Sequence, residues 1–391
     1  MLDMNIASSC STVHDAAQSA GQSYREVEER LGGPPDFVIA YASSLYDNHI
    51  LVGTLKQHAG GIPIHGGTSC LGVMTESGFH SDEGYGMGLL GIRDDAGCFG
   101  VGAAPIGSDP QYGARQAIER ALEQAGCPGE VPQLILLSSA PGQEESLVRG
   151  IEQVVGGDVP IVGGSTADNT VEGHWKQFAG GEVLEDSVVV SVLFPSGQAA
   201  CAFHSGYSPT AHKGWVSGSK DRIVRGIDGR PAAQVYDEWT NGSIAEVMQQ
   251  GGEVLTRTSL SPLGRMVGSV GGVPYYRLSH PAAVTPDGAL TLFTEVSEGD
   301  QFVLMKGTRK SLITRAGRVI RAAVEVEALQ PSEISGALVI YCAGCMLTVR
   351  EDMQAVVDTL REAPRNGRSW APSPSASRAA SPAVKIATET S

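Results

Sequence analysis

The chain reads as an α/β fold with mixed sheets, built around an internal duplication and extended by a further α/β domain. The first observation is a motif that returns. Ile62-Pro63-Ile64-His65-Gly66-Gly67-Thr68-Ser69-Cys70 is echoed 97 positions later by Val159-Pro160-Ile161-Val162-Gly163-Gly164-Ser165-Thr166-Ala167. The same offset carries Phe37-Val38-Ile39-Ala40 onto Leu134-Ile135-Leu136-Leu137, with no gap between the two matches. The second observation is that short continuous apolar runs alternate with stretches of helical period, as strands buried on both faces do between covering helices. The third is the glycine count of 50, with many in pairs beside apolar runs, where tight turns need them.

Taken in order, His14 to Leu31 predicts an amphipathic helix that Gly32-Gly33-Pro34-Pro35 stops. Asp36 to Ala42 predicts a buried strand, Ser43-Ser44-Leu45-Tyr46-Asp47 the turn into a second helix, and Ile62 to Ile64 a strand running into the Gly66-Gly67 turn. Gly86 to Ile92 and Cys98 to Ile106 then read as a hairpin over Asp94-Asp95-Ala96-Gly97. The second copy repeats the order: helix Pro110 to Ala125, strand Gln133 to Ser138, helix Glu144 to Val155, strand Val159 to Val162, and a hairpin of Ser187 to Phe194 with Gln198 to His204. The copies span about 13–106 and 110–206 within a duplicated domain at 13–213. From 214 to 362 the texture changes to strands at Pro274 to Leu278, Ala289 to Thr294 and Gln301 to Met305, a helix from Arg309 to Leu329, and a strand from Gly336 to Cys342 before a helix at Arg350 to Leu360. That last strand and helix look like a third copy whose Gly-Gly strand is missing, which implies a truncated reading frame or an open sheet edge. Residues 363–391, rich in Pro, Ser, Ala and Arg without period, read as a disordered tail.

Composition excludes several functions. Lys+Arg of 28 against Asp+Glu of 43 gives a net charge of -15, which repels nucleic acid and anionic lipid. No apolar run approaches a bilayer span and no signal peptide opens the chain, so a cytoplasmic protein is expected. Seven cysteines, an odd number, do not form the framework of a secreted disulfide protein. Cys342-Ala343-Gly344-Cys345 has the spacing of a redox pair or half a zinc site, but no second ligand pair accompanies it and no metal is expected.

The quoted segments at 35–70, 86–92 and 159–166 resemble the N-terminal domain of the FIST family. Val224-Arg225-Gly226-Ile227-Asp228-Gly229-Arg230-Pro231-Ala232, Glu298-Gly299-Asp300 and Ala337 to Gly344 resemble its C-terminal domain. The resemblance implies a sensory module for small molecules, amino acids among them, which signals through a histidine kinase, cyclase or chemoreceptor. It also implies an alternative, since some relatives look like haem-binding sensors of nitric oxide, for which His49, His65, His174 and His204 are the candidate ligands here. Cys345 stands where the family's Cys-x-Gly turn is usually followed by Arg.

The candidate ligand-binding residues follow from the turns. Ser43, Ser44, Ser138 and Ser139 end buried strands before helices, where free amides and hydroxyls bind a carboxylate or else cap their own helices. The corners Gly66, Gly67, Thr68, Ser69 and Gly163, Gly164, Ser165, Thr166 either admit a ligand close to the backbone or simply turn the chain. Asp168 and Asn169 suit an ammonium group or a solvated turn. Neither corner is a phosphate loop and no Gly-x-Ser-x-Gly is present, so no catalytic residue is assigned and no enzyme is expected. A cytoplasmic sensor acting through a separate partner is the first reading; a scaffold or adaptor without a small ligand is the other that is not enzymatic.

Overall fold

The computed structural model describes residues 4–170, 172–203, 205–270, 273–363 and 383–387. Strand β1 (Asn5–Ser11) leads into α1 (Ala16–Leu31), β2 (Phe37–Ser43), α2 (Asn48–Ala59), β3 (Ile64–Ser69), the small pair β4 (Val73–Thr75) and β5 (Gly78–His80), and β6 (Met87–Arg93). The order then recurs as β7 (Cys98–Pro105), α3 (Pro110–Gln124), β8 (Leu134–Ser139), α4 (Glu144–Val155), β9 (Ile161–Ser165), the pair β10 (Gln177–Ala179) and β11 (Glu182–Leu184), and β12 (Ser187–Phe194). Asp15, Asp47 and Asp109 start α1, α2 and α3, each accepting a hydrogen bond from an amide of the first turn.

Next come β13 (Gln198–Ala202), β14 (Ser208–Lys220), β15 (Ile223–Ile227), β16 (Arg230–Pro231), α5 (Ala232–Trp239), β17 (Gly252–Glu253), α6 (Leu255–Thr258), β18 (Leu263–Val270), β19 (Val273–Ser279), β20 (Pro281–Val284), β21 (Leu290–Leu292) and β22 (Gln301–Lys306). The chain closes with α7 (Arg309–Val326), β23 (Ile334–Val339), α8 (Ala343–Val349), α9 (Met353–Glu362) and β24 (Ala383–Ala387). Strand β24 falls inside the stretch read as a disordered tail, while 364–382 and 388–391 lie outside the described residues.

The fold is α/β with mixed sheets. Two compact units form, one from 1–203, 316–340 and 353–390, the other from 204–315 and 341–352. Both units are discontinuous in sequence, since β23 and α9 belong to the first and α8 to the second.

In the first unit one sheet runs β1-β6-β2-β3-β10-β11 and another β7-β12-β8-β9. β2 pairs parallel with β3 and β8 with β9 in matching register, Ala40 opposite Gly66 and Leu137 opposite Gly163. Side chains alternate as strand geometry requires. Val38, Ala40 and Ala42 pack with α1 and α2, and Ile135 and Leu137 with α3 and α4. Phe37, Ile39, Leu134 and Leu136 instead enter a separate core with Met4, Phe99 and Leu193, against which Leu338 and Ile340 pack. A third sheet, β13-β24-β23, belongs to the same unit, so the strand read as the opening of a third copy does pair.

Three expectations are corrected. The hairpins do not form: β6 already has β1 on one edge and β2 on the other, and β12 lies between β7 and β8, so β7 and β13 pair in other sheets. The Gly66-Gly67 and Gly163-Gly164 corners are strand, not turn, as ladder residues of β3 and β9. A strand, β1, also precedes α1 as β7 precedes α3, where no strand is expected from the sequence, because the Asn-Ile-Ala-Ser-Ser-Cys-Ser run lacks an apolar alternation.

The second unit is a sheet ordered β17-β20-β21-β15-β14-β22-β18-β19, with β16 on β15. Its core gathers Val216, Val224, Ile227, Tyr236, Leu290 and Phe302. Among the described residues no helix is long and apolar enough to cross a membrane.

Candidate functional site

The parallel pairs β2–β3 and β8–β9 end together. Beyond them Thr166 N donates to Ser139 O at 2.9 Å, and Ala167 N donates to Thr68 O at 3.1 Å, so one stretch of backbone ties the end of β8 to the end of β3. Thr68 Oγ1 accepts from Lys176 N at 2.9 Å, and Thr166 Oγ1 accepts from the Gln177 side chain at 2.7 Å. The Ser165 hydroxyl donates to Glu144 Oε1, and the Glu144 carboxylate also accepts from Gly142 N. The two glycine-bearing motifs are therefore neighbours.

Asn169 latches this region. Its Oδ1 accepts from Leu71 N at 2.7 Å, and its Nδ2 donates to Ser43 Oγ at 3.2 Å and Gly84 O at 3.1 Å. Ser43 Oγ accepts as well from Leu45 N, the helix-side turn predicted for it. Gly66 and Gly163 do not face the ends of the strands. An added Cβ would stand 1.8 Å from Ala40 O and 1.9 Å from Leu137 O respectively, so both glycines serve the contact between parallel strands. At Gly67 a Cβ would meet Thr166 Cγ2 at 2.3 Å. Ser44 and Gly164 are partly exposed at this end of the sheets.

Ser69 Oγ and Ser139 Oγ are buried and, like Ser23 Oγ, Tyr24 Oη and Ser196 Oγ elsewhere in the chain, have no hydrogen-bond partner among the described residues; Ser139 as a residue is 0% exposed. Burying a hydroxyl without a partner costs about 1–3 kcal/mol.

Asp168 is engaged by its own loop. Its carboxylate, 1% exposed, accepts from the amides of Thr170 at 2.8 Å, Glu172 at 3.2 Å, Gly173 at 2.9 Å and His174 at 2.7 Å. This closes a loop from within. Asp168→Ala is expected to destabilise the first unit by about 2–3 kcal/mol and to speed hydrogen exchange of those four amides. Unchanged protection there would remove the role.

Deeper in, a polar chain crosses the core between the two sheets. Tyr41 Oη lies 2.7 Å from Ser138 Oγ, a pair of residues 97 apart, and Ser138 Oγ lies 2.9 Å from His65 Nε2. His65 Nδ1 lies 2.8 Å from Ser191 Oγ. Burial pushes the His65 imidazole down to about 3, keeping it neutral, and raises the Tyr41 phenol. Both ring nitrogens of His65 are engaged, His49 and His174 are exposed, and His204 lies outside the described residues.

Comparison with known proteins decides the family. The FIST N domain matches residues 36–230 and the FIST C domain matches residues 232–369. The chain belongs to the FIST family. FIST domains are sensory domains of signal transduction, and as such are not catalytic. No curated protein matches. Among solved structures the chain is similar to the cyanuric acid hydrolase of A. caulinodans at 9% identity, over 49% of this chain and 72% of that one, with a TM-score of 0.27, too slight a likeness to carry any argument.

In this FIST protein the second unit holds a further cluster. Tyr207 Oη donates to Ser259 O at 2.6 Å and lies 3.4 Å from both His280 Nε2 and Cys345 Sγ. Arg315, 2% exposed, donates to Ser205 O at 2.9 Å and lies over the Tyr341 ring at 4.7 Å. Sequence reading missed Tyr41, Ser191, Tyr207, His280 and Arg315. Their spacings follow no motif, and only the Cys-x-x-Cys beside the last three was visible. Among the described residues no group of His, Cys, Asp or Glu is arranged to hold a metal ion.

Proposed function

We propose that this FIST protein is a cytoplasmic sensor that binds a small polar metabolite, with amino acids the first class to test, where β2, β3, β8 and β9 end, and that it signals through a separate partner such as a histidine kinase, cyclase or chemoreceptor. In this reading the two halves descend from one duplicated unit, and no reaction is catalysed. The observation that carries it is the pair of buried, unpartnered hydroxyls, Ser69 and Ser139, one from each half, held beside the Thr166–Ala167 crossing. A small ligand bearing donors and acceptors would complete their hydrogen bonding. Ser44 and Gly164 are the partly exposed members at the same strand ends. Gly66, Gly163 and Asp168 support the site without reaching the ligand, since their contacts are made within the protein. Binding there would change how firmly the Thr166–Ala167 crossing joins the two sheets, and a partner would read that change.

Thermal-shift screening against amino acids and related polar metabolites tests this. A ligand at a hundred times its Kd stabilises by about 2.7 kcal/mol. Ser139→Ala is expected to leave the unliganded protein as stable as before or slightly more so, because it removes an unsatisfied hydroxyl, and to shrink the ligand shift. No shift with any metabolite at millimolar concentration, or an equal shift in the variant, overturns the assignment.

A further inference from the structure

The second unit carries chemistry that metabolite sensing does not use. Cys342 caps α8, its carbonyl accepting from Met346 N at 2.9 Å, and Cys345 follows in the first turn. The thiol and the backbone amide of Cys345 both donate to Cys342 Sγ. Cys342 is partly exposed whereas Cys345 is 1% exposed, so a reagent from solvent meets Cys342 first. The buried Arg315 guanidinium is held by Ser205 O and the Tyr341 ring, and its charge acts on Cys342. Behind Cys345 stand Tyr207 Oη at 3.4 Å and, beyond it, His280.

These groups divide the labour of thiol–disulfide exchange. Hydrogen bonding from Cys345, helped by the positive charge of Arg315, holds Cys342 well below the usual thiol range, while burial works the other way.

We propose that Cys342 and Cys345 form a redox-active dithiol that reduces small-molecule disulfides. The Cys342 thiolate attacks one sulfur of the substrate disulfide, forming a mixed disulfide and expelling the first thiolate. That thiolate takes the Cys345 proton. Cys345 then attacks Cys342 Sγ, forming the Cys342–Cys345 disulfide and expelling the second thiolate. Two electrons pass from the dithiol to the substrate, whose first half leaves as a thiol carrying the Cys345 proton and whose second leaves as a thiolate that takes a proton from water. This site is independent of the metabolite site and stands or falls separately.

The test uses the reduced full chain with glutathione disulfide at pH 7, followed by peptide mass spectrometry. The wild-type chain is expected to link Cys342 to Cys345, and Cys342 is expected to react about tenfold faster than Cys98. Cys345→Ser should trap glutathione on Cys342, and Cys342→Ser should abolish reaction at this site. Circular dichroism confirms that both variants fold. A Cys342 that reacts no faster than Cys98, or a Cys345→Ser chain that accumulates no adduct on Cys342, overturns the proposal.

Discussion

Gly66→Ala is expected to remove most of the folded protein from the soluble fraction, and Gly163→Ala to do the same. An alanine Cβ at 66 would stand 1.8 Å from Ala40 O and 2.8 Å from its carbonyl carbon, and at 163 it would stand 1.9 Å from Leu137 O. Both obstacles are backbone of the adjoining parallel strand, so no rotamer change relieves them. β3 would have to move off β2, breaking a ladder that runs from Val38 opposite Ile64 to Ser43 opposite Ser69. Overpacking a core side chain costs about 1–3 kcal/mol, and loss of ladder pairing adds to it, which brings the expected penalty to about 3–5 kcal/mol. At 163 the backbone φ of +139° adds strain for any residue with a Cβ. Gly53 in α2 is the control: nothing lies within 4 Å of its added Cβ, so Gly53→Ala should stabilise by about 0.5–1 kcal/mol. Denaturant midpoints of the three variants check this, and a Gly66→Ala chain as stable as the parent would show that β3 can shift without loss.

The glycines also show what was legible in the sequence. The offset of 97 is visible as a repeated string, and residues it relates hold corresponding places: Ala40 lies opposite Gly66 in β2–β3, Leu137 opposite Gly163 in β8–β9, and Tyr41 touches Ser138. The alternation of Phe37 and Ile39 with Val38 and Ala40 was hidden inside a continuous apolar run, because both faces of the strand are buried, one by helices and one by the inner core. Strand partners were misread where a good turn sequence suggested a hairpin. Asp94 to Gly97 turns the chain, but which edge a strand joins depends on edges already occupied, a property of the whole sheet. Of the candidate residues, Thr166 N donates to Ser139 O, Ala167 N to Thr68 O and Leu71 N to Asn169 Oδ1, contacts between segments that no local sequence signal pairs. Asp168, which suits an ammonium group or a solvated turn in the sequence, accepts from amides two to six residues ahead, and those carry no sequence signature.

Acidification from pH 7 to pH 5 is expected to weaken the first unit by about 2 kcal/mol through His65 alone. The imidazole lies at about 3 in the folded protein, against its ordinary value of 6.5, because it is buried with no charge to compensate it. Between those values the unfolded chain binds a proton that the folded chain refuses, so stability rises with pH across this window and is lost as pH falls through it, at about 1.4 kcal/mol per pH unit. His80 and His280 are lowered by burial as well and push in the same direction, so the wild-type curve alone does not isolate His65. His65→Gln does. An amide keeps a donor and an acceptor for Ser138 and Ser191 but cannot titrate, so at pH 7 the variant should be less stable by about 1–3 kcal/mol from imperfect bonding. On going to pH 5 it should lose about 2 kcal/mol less than the parent, which brings the two curves together. Urea unfolding at both pH values, followed by a probe confined to the first unit, measures the difference. Parallel curves would mean that the imidazole is reached by protons in the folded state, and the Tyr41–Ser138–His65–Ser191 chain would then be a wet, adjustable seam between the two sheets.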